Sequence, residues 1–199
     1  VVLRVTKTVT PRFAHVVLQT NRLQRMRDWY CTVLGAHVVY ENPGMCFVTF
    51  DEEHHRLALV ASPGEPFIER TPLTVGLQHS AFTFPDLPAL LDTFERLRAE
   101  DIEPLVPIQH GVTTSLYYRD PDGNAVELQI DNFAEPDDAT EYMTGPEYAG
   151  DPVGPSFDPA RMVDELRAGA DPAELTTRAW AHRAGPPVAN PIMALLGGA

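Results

Sequence analysis

Three side chains able to bind a metal stand in runs of sequence that are otherwise apolar and strand-like. His15 lies in Phe13-Ala-His-Val-Val-Leu-Gln19, His79 in Gly76–Phe84 and Glu127 in Asn124–Ile130. A glutamate in an apolar strand needs a partner, because an isolated buried carboxylate is rarely tolerated. Two neutral imidazoles and one carboxylate suit a divalent first-row metal, most characteristically non-haem Fe(II), with Mn(II) served equally well. Such a set leaves three coordination positions open, whereas a structural zinc site fills its places with Cys and His. Cys31 and Cys46 make no CxxC pair and no disulfide framework, and read as two packed thiols.

The elements that must position these residues come in a repeat. Phe13–Gln19 is followed by Leu23, Met26, Trp29, Tyr30, Val33 and Leu34 at helical spacing, with Asn21 as the expected N-cap and Gly35 as the C-cap. Strand-like pieces follow at Ala36–Tyr40, Met45–Phe50 and Arg56–Ala61. The second half repeats the order. Gly76–Phe84 leads to a helix opened by Pro85 or Asp86, with Leu87, Leu90, Leu91, Phe94 and Leu97 on one face. Strands at Pro104–Ile108, Thr113–Arg119 and Asn124–Ile130 follow, the last two joined by Asp120-Pro-Asp-Gly123, a strong turn signal. A shift of 64 residues carries His15 onto His79, and a shift of 69 carries Asp51 onto Asp120 and Leu59 onto Leu128. The expected fold is therefore α+β: two tandem βαβββ modules, 11–64 and 74–133, together one domain. They are expected to form a curved mixed sheet enclosing a metal site.

The repeat makes a geometric prediction. Equivalent positions on the first and last strands of each unit converge on a pseudo-twofold axis. Those positions read His15, Ala58, His79 and Glu127, three ligands and one small residue that leaves room. Alternation puts His15 with Val17 and Gln19, His79 with Ala81 and Thr83, and Glu127 with Ala125 and Gln129; Val16, Leu18, Val126 and Leu128 take the helix-facing side. Strict alternation also places His54, rather than His55, on the face of Ala58. Of Tyr117 and Tyr118, one faces in.

Residues 134–199 change composition. The stretch from Asp131 to Phe157, rich in Pro, Asp, Glu and Gly, reads as an extended wrapping segment. Asp158-Pro159 and Asp171-Pro172 each open a short helix, the first stopping at Gly169 and the second running to about Arg183. Gly185–Ala199 reads as a frayed terminus or a segment docked on another subunit. The expectation is a C-terminal tail that helps to shape the mouth of the site.

Charge narrows the function classes. With 15 Lys+Arg against 28 Asp+Glu the formal charge is −13, and no basic stripe is present. This excludes a nucleic-acid or anionic-membrane partner. No apolar run approaches the roughly 20 residues that span a bilayer, and Val1–Thr10 has no signal-peptide pattern. A soluble, reduced, cytoplasmic protein is expected.

The motifs carry a resemblance. Phe50-Asp-Glu-Glu-His-His-Arg-Leu-Ala-Leu59, Gly76-Leu-Gln-His-Ser-Ala-Phe82 and His110-Gly-Val-Thr-Thr-Ser-Leu-Tyr-Tyr-Arg-Asp-Pro-Asp-Gly-Asn-Ala-Val-Glu-Leu128 resemble the vicinal oxygen chelate superfamily (glyoxalases, bleomycin-resistance proteins and extradiol dioxygenases). Within it, the sequence is most similar to single-domain type I extradiol catechol dioxygenases of the biphenyl-diol kind. The resemblance implies iron ligation by His15, His79 and Glu127. It also implies a proton-shuttling His55, a Tyr117 that hydrogen-bonds a substrate oxygen, and a His110 on the substrate side. It implies a small aromatic diol and O₂ as reactants, and a homodimer or higher homo-oligomer. Two other readings stay open within the superfamily: a metal-dependent glyoxalase, epimerase or thiol transferase, and a non-catalytic drug-binding protein. Ala58 weighs against the first, which commonly carries a further ligand there, and the intact triad against the second.

Overall fold

The computed structural model describes residues 10–71, 74–185 and 191–195, Ile192 by its backbone alone. The expectations for the first nine residues and for most of Gly185–Ala199 therefore fall outside the described residues. The chain divides into two compact units at Phe67/Ile68.

The first unit runs β1 (Val16–Thr20), α1 (Leu23–Leu34), β2 (His37–Asn42), β3 (Met45–Thr49) and β4 (Leu57–Ala61). Its sheet has the order β1-β4-β3-β2, with β1 parallel to β4 and the other pairs antiparallel. Helix α1 lays Met26, Tyr30 and Val33 on this sheet, above Cys46, Val48, Leu57 and Leu59, all fully buried. Gly35 closes the helix in the left-handed conformation, φ 63°, where a side chain would be strained. Asn21 does not cap it. The N-cap is Arg22, whose N–H is held by Thr20 Oγ1 at 2.8 Å, and Asn21 instead exchanges two hydrogen bonds with the Phe67 backbone, at 2.8 and 2.9 Å.

The second unit repeats the plan with β5 (His79–Thr83), α2 (Leu87–Arg98), β6 (Val106–Gln109), β7 (Thr113–Arg119) and β8 (Ala125–Asp131), in the order β5-β8-β7-β6. Asp86 caps α2 through the Ala89 N–H, 2.9 Å. Asp120 Oδ1 accepts from Asp122 and Asn124, closing the turn that Gly123 makes possible at φ 83°.

The two registers correspond residue by residue. Val17 pairs with Ala58 and Ala81 with Glu127; Phe47 pairs with Ala58 and Tyr117 with Glu127. The 64- and 69-residue shifts read from sequence thus carry one parallel pairing onto the other. Each module forms its own mixed four-stranded sheet.

The tail is more helical than its composition suggests. The stretch expected to be extended holds α3 (Pro136–Thr144) and α4 (Pro146–Gly150), each opened by proline at N1 and acidic residues in the first turn. The second of the two expected short helices is split into α6 (Pro172–Leu175) and α7 (Arg178–Ala184), because Thr177 caps a new start by accepting from the Trp180 N–H. Helix α5 (Pro159–Arg167) does follow the Asp158 cap, and Met162 and Val163 are buried. It packs on α2, with Arg167 paired to Glu95. Residues 155–156 run along β6, with a Gln109 N–H to Pro155 bond of 2.9 Å and an antiparallel bridge between Ile108 and Ser156. Helix α8 (Pro191–Leu195) brings Ala194 and Leu195 onto Val106, Ile108 and Tyr117. No helix among the described residues is long and apolar enough to cross a membrane.

Candidate active site

In the second unit four of the sequence-derived residues form one connected group. Glu127, at the middle of β8, is only 4% exposed. Its Oε2 lies 3.0 Å from His79 Nε2, across the parallel β5–β8 pair. Tyr117 sits directly opposite Glu127 on β7 and hydrogen-bonds its carboxylate, and Ser115 adds another bond. The Tyr117 hydroxyl is also 2.9 Å from His110 Nε2. Tyr118, paired with Val126, points to the helix-facing side, so Tyr117 is the tyrosine that shares a face with the acid.

These contacts set protonation states. Burial pushes the Glu127 carboxyl up, but the hydrogen bonds from His79, Ser115 and Tyr117 outweigh it, and the net shift is downward. Glu127 is a carboxylate at neutral pH. Burial and the neighbouring Glu127 charge push the Tyr117 phenol far above its ordinary value, so it stays a neutral hydroxyl. Burial lowers His110, which the Glu127 charge only partly offsets; it is neutral at pH 7.

The first unit gathers a second group. The His15 ring lies 4.3 Å from the His55 ring, and His55 stacks on Phe47 at 4.7 Å and 17°. His54 stands further out, 6.4 Å from His15, with a mostly exposed side chain. Its Nδ1 meets His55 Nδ1 at 2.6 Å. Alternation alone favours His54; the strand begins only at Leu57, so parity does not govern residues 54 and 55. Burial, together with the His15 and His54 charges, lowers His55. His15 itself precedes β1. Arg56 straps this approach by donating to the carbonyls of Phe13 (2.8 Å) and Ala14 (3.0 Å), while its guanidinium is fixed by Asp51 at 2.9 Å.

The donor set fits a divalent cation. Two donors about 2.1 Å from one metal and at right angles stand about 3 Å apart, the spacing of His79 Nε2 and Glu127 Oε2. Glu127 is buried and carries a full charge, which a cation would balance. Within either unit taken alone, no group of three His, Cys, Asp or Glu side chains among the described residues is gathered closely enough to hold an ion.

Sequence reasoning passed over several supporting residues. Arg56 enters the sequence patterns only as the first residue of an expected strand and within a motif. Gln109, Thr114 and Asn132 form a closed hydrogen-bonded set under the His110–Thr113 turn, with bonds of 2.7 to 2.9 Å. Arg178, from α7, donates to the His110 carbonyl. Only strand alternation could have hinted at Thr114; nothing in the local sequence marks Arg178.

A tandem pair of βαβββ modules with a His–Glu pair across the first and last strands of the second defines a fold class, and the comparisons agree. The chain belongs to the Glyoxalase/Bleomycin resistance protein/Dioxygenase superfamily, whose model matches residues 12–128. It is 65% identical over 174 residues (87% of this chain, 92% of the relative) to biphenyl-2,3-diol 1,2-dioxygenase 3 of Rhodococcus globerulus. It is 61% identical over 190 residues (94% and 98%) to biphenyl-2,3-diol 1,2-dioxygenase 2 of the same organism. The crystal structure of lactoylglutathione lyase from Agrobacterium tumefaciens shares the fold, with a TM-score of 0.50 and 22% identity over 62% of this chain and 96% of that one.

Proposed function

We propose that this protein is an extradiol dioxygenase acting on a biphenyl-2,3-diol or similarly substituted catechol. It breaks the ring carbon–carbon bond beside the diol and places both atoms of O₂ in the product. The observation that carries this reading is the identity of 65% and 61% to two biphenyl-2,3-diol 1,2-dioxygenases over nearly the whole chain. The modules 11–64 and 74–133 act as one catalytic domain. The metal is Fe(II), held by His15 together with His79 and Glu127. When bound, it supplies a Lewis acid for the diol oxygens and a route for electrons from diol to O₂.

The chain's own residues handle protons and position. A diol that binds through both oxygens must shed a proton. His55, neutral and resting against His15 and Phe47, is suited to take it and return it later. Tyr117 cannot serve as a base, because its phenol is held protonated; it orients a substrate oxygen by hydrogen bonding. His110, neutral beside it, fixes the direction of that hydroxyl.

The protein works in the cytoplasm as a homodimer or higher homo-oligomer. Cys31 and Cys46 are free thiols, and burial raises Cys46 to about 11, which fits a reducing compartment. Val38, Val39 and Tyr40 on β2 expose apolar surface suited to a subunit contact. The test is anaerobic reconstitution with Fe(II), then addition of a catechol panel with oxygen uptake and visible absorbance recorded together. One O₂ consumed per yellow product formed supports the reading; oxygen uptake absent across the panel overturns it.

A further inference from the structure

The Asp120–Asn124 turn, a motif that the catalytic chemistry leaves unused, holds two arginines. Arg119 Nη1 donates to the Gly123 carbonyl (3.0 Å) and Nη2 to the Leu195 carbonyl (2.7 Å). Arg70 Nη1 donates to Asn124 Oδ1 (2.9 Å) and Nη2 to the Leu77 carbonyl (2.5 Å). Asp120 Oδ2 accepts from Asn124 Nδ2 at 2.8 Å, which turns the amide oxygen to Arg70. Every partner of the two guanidinium groups is a neutral oxygen. Each guanidinium has five N–H groups and spends two of them here, and neither makes an ion pair with a carboxylate among the described residues. In a chain of formal charge −13, two cations left without carboxylate partners call for an explanation. Both line a cavity of about 440 Å³ whose walls all belong to the second unit. Asp122 lines it as well, so the walls carry two positive charges against one negative. Asp120 is not part of the lining; its oxygens are taken by the Asp122 and Asn124 N–H groups and the Asn124 side chain. A surplus of one positive charge matches a monoanion, and two planar forks match a carboxylate. Ala125 and Leu195 give the same cavity apolar wall for the hydrocarbon part of a ligand.

The register puts this cavity beside Tyr117 and Glu127. Ala125 pairs with His79 on one side and Arg119 on the other, and the next row facing the same way is Ala81, Glu127 and Tyr117. Arg119 therefore stands on the face of Tyr117, two residues further along β7, a step of about 7 Å. Leu195 belongs to both places: it packs with Tyr117 and it lines the cavity. We propose that this cavity is the subsite for the ring substituent of the diol, and that Arg119 and Arg70 select a short side chain ending in a carboxylate. The Asp120–Asn124 turn then has a task, to hold both guanidinium groups at the cavity. The claim about the diol narrows the substrate class of the proposed ring cleavage and rests on that reading; the carboxylate site does not.

The test compares 3-(2,3-dihydroxyphenyl)propionate with its methyl ester, which keeps the shape and loses the charge. Titrated calorimetrically into the full-length, Fe(II)-loaded protein under argon, the acid binds about 10-fold more tightly than the ester. High salt narrows that gap, as a merely structural role of the arginines would not. Arg119→Gln and Arg70→Gln each cut the preference to about twofold or less, while affinity for unsubstituted catechol stays within about twofold of wild type. Equal affinity for acid and ester in the wild type overturns the proposal, as does a preference that survives both substitutions. If Arg119→Gln does not fold once the Leu195 carbonyl loses its donor, Arg70→Gln decides, and a preference left whole there overturns the proposal. The diol-free pair 3-phenylpropionate and 3-phenylpropionamide separates the site from the activity, because metal-free wild type should prefer the acid whether or not any diol is cleaved. That preference with oxygen uptake absent would remove the ring-cleavage reading and leave the carboxylate site standing. Ring cleavage of catechols with no preference for either acid would do the reverse.

Discussion

The two modules share one register and differ in what they place on it. Where β4 of the first has Ala58, β8 of the second has Glu127; where β3 has Phe47 opposite, β7 has Tyr117. The edges differ as well. In the first unit β2 is an open edge among the described residues, with Val38, Val39 and Tyr40 exposed, and it is blunted by a bulge between Val38 and Tyr40. In the second unit the equivalent edge β6 is covered by residues 155–156 and α8. A duplicated scaffold thus concentrates its acid, its phenol and its covering tail in one copy. The other copy gathers His15 and His55 against Phe47.

Making the second module like the first has the largest expected effect. Glu127→Ala should lower ring cleavage by about 10⁴-fold or more and reduce bound iron in metal analysis. Activity within tenfold of wild type would show that the Ala58/Glu127 difference is not the chemical one. The reverse change comes next. Ala58→Glu buries a carboxylate between Leu57 and Leu59, with Phe47 rather than a tyrosine opposite. A loss of about 3 kcal/mol is expected in denaturant unfolding. An unchanged midpoint would mean that the first module can host an acid too.

Tyr117→Phe installs the first module's aromatic in the second. The expected result is a fall in kcat of about 100-fold with folding preserved, because Tyr117 loses only its hydroxyl. A change confined to KM would make the phenol a binding group. Acid titration gives a finer contrast. The folded Glu127 carboxyl is held below its ordinary value, so the stability it contributes is present above the unfolded value, 4.5, and lost as pH falls through the lowered one. Metal-free Glu127→Gln should lack this acid-side slope, whereas Ala58→Gln should keep it. Parallel curves for wild type and Glu127→Gln would remove the carboxylate's linkage to folding.

Much of this was readable beforehand because periodicity and turn chemistry are local. The Gly35 stop, the Asp86 and Asp158 caps and the Asp120–Gly123 turn each follow from two to four residues. The repeat then brought His79 and Glu127 to one face. Contacts set by tertiary packing were not readable. Asn21 has the chemistry of an N-cap but is claimed by the Phe67 backbone, 46 residues away. Parity could not rank His54 against His55, since neither lies in a strand. Arg178 reaches His110 across 68 residues, which no pattern in either segment announces.

The smallest effect tests the edges. Lysine on a bulged, exposed strand loses no packing, so Val39→Lys should change unfolding free energy by less than about 0.5 kcal/mol. If β2 carries the subunit contact, the same charge repels its counterpart across the interface, and light scattering should report a shift from oligomer to monomer. Ile108→Lys on β6 is the control: it forces a charge under Val153, Ala194 and Leu195 and should cost several kcal/mol, of order 3 or more. Two outcomes would break the contrast. Equal destabilisation by both lysines would mean that β2 is covered as thoroughly as β6. A wild-type protein that is already monomeric, with Val39→Lys silent in both measurements, would leave the bulge alone to protect an edge that in the second module needed a tail.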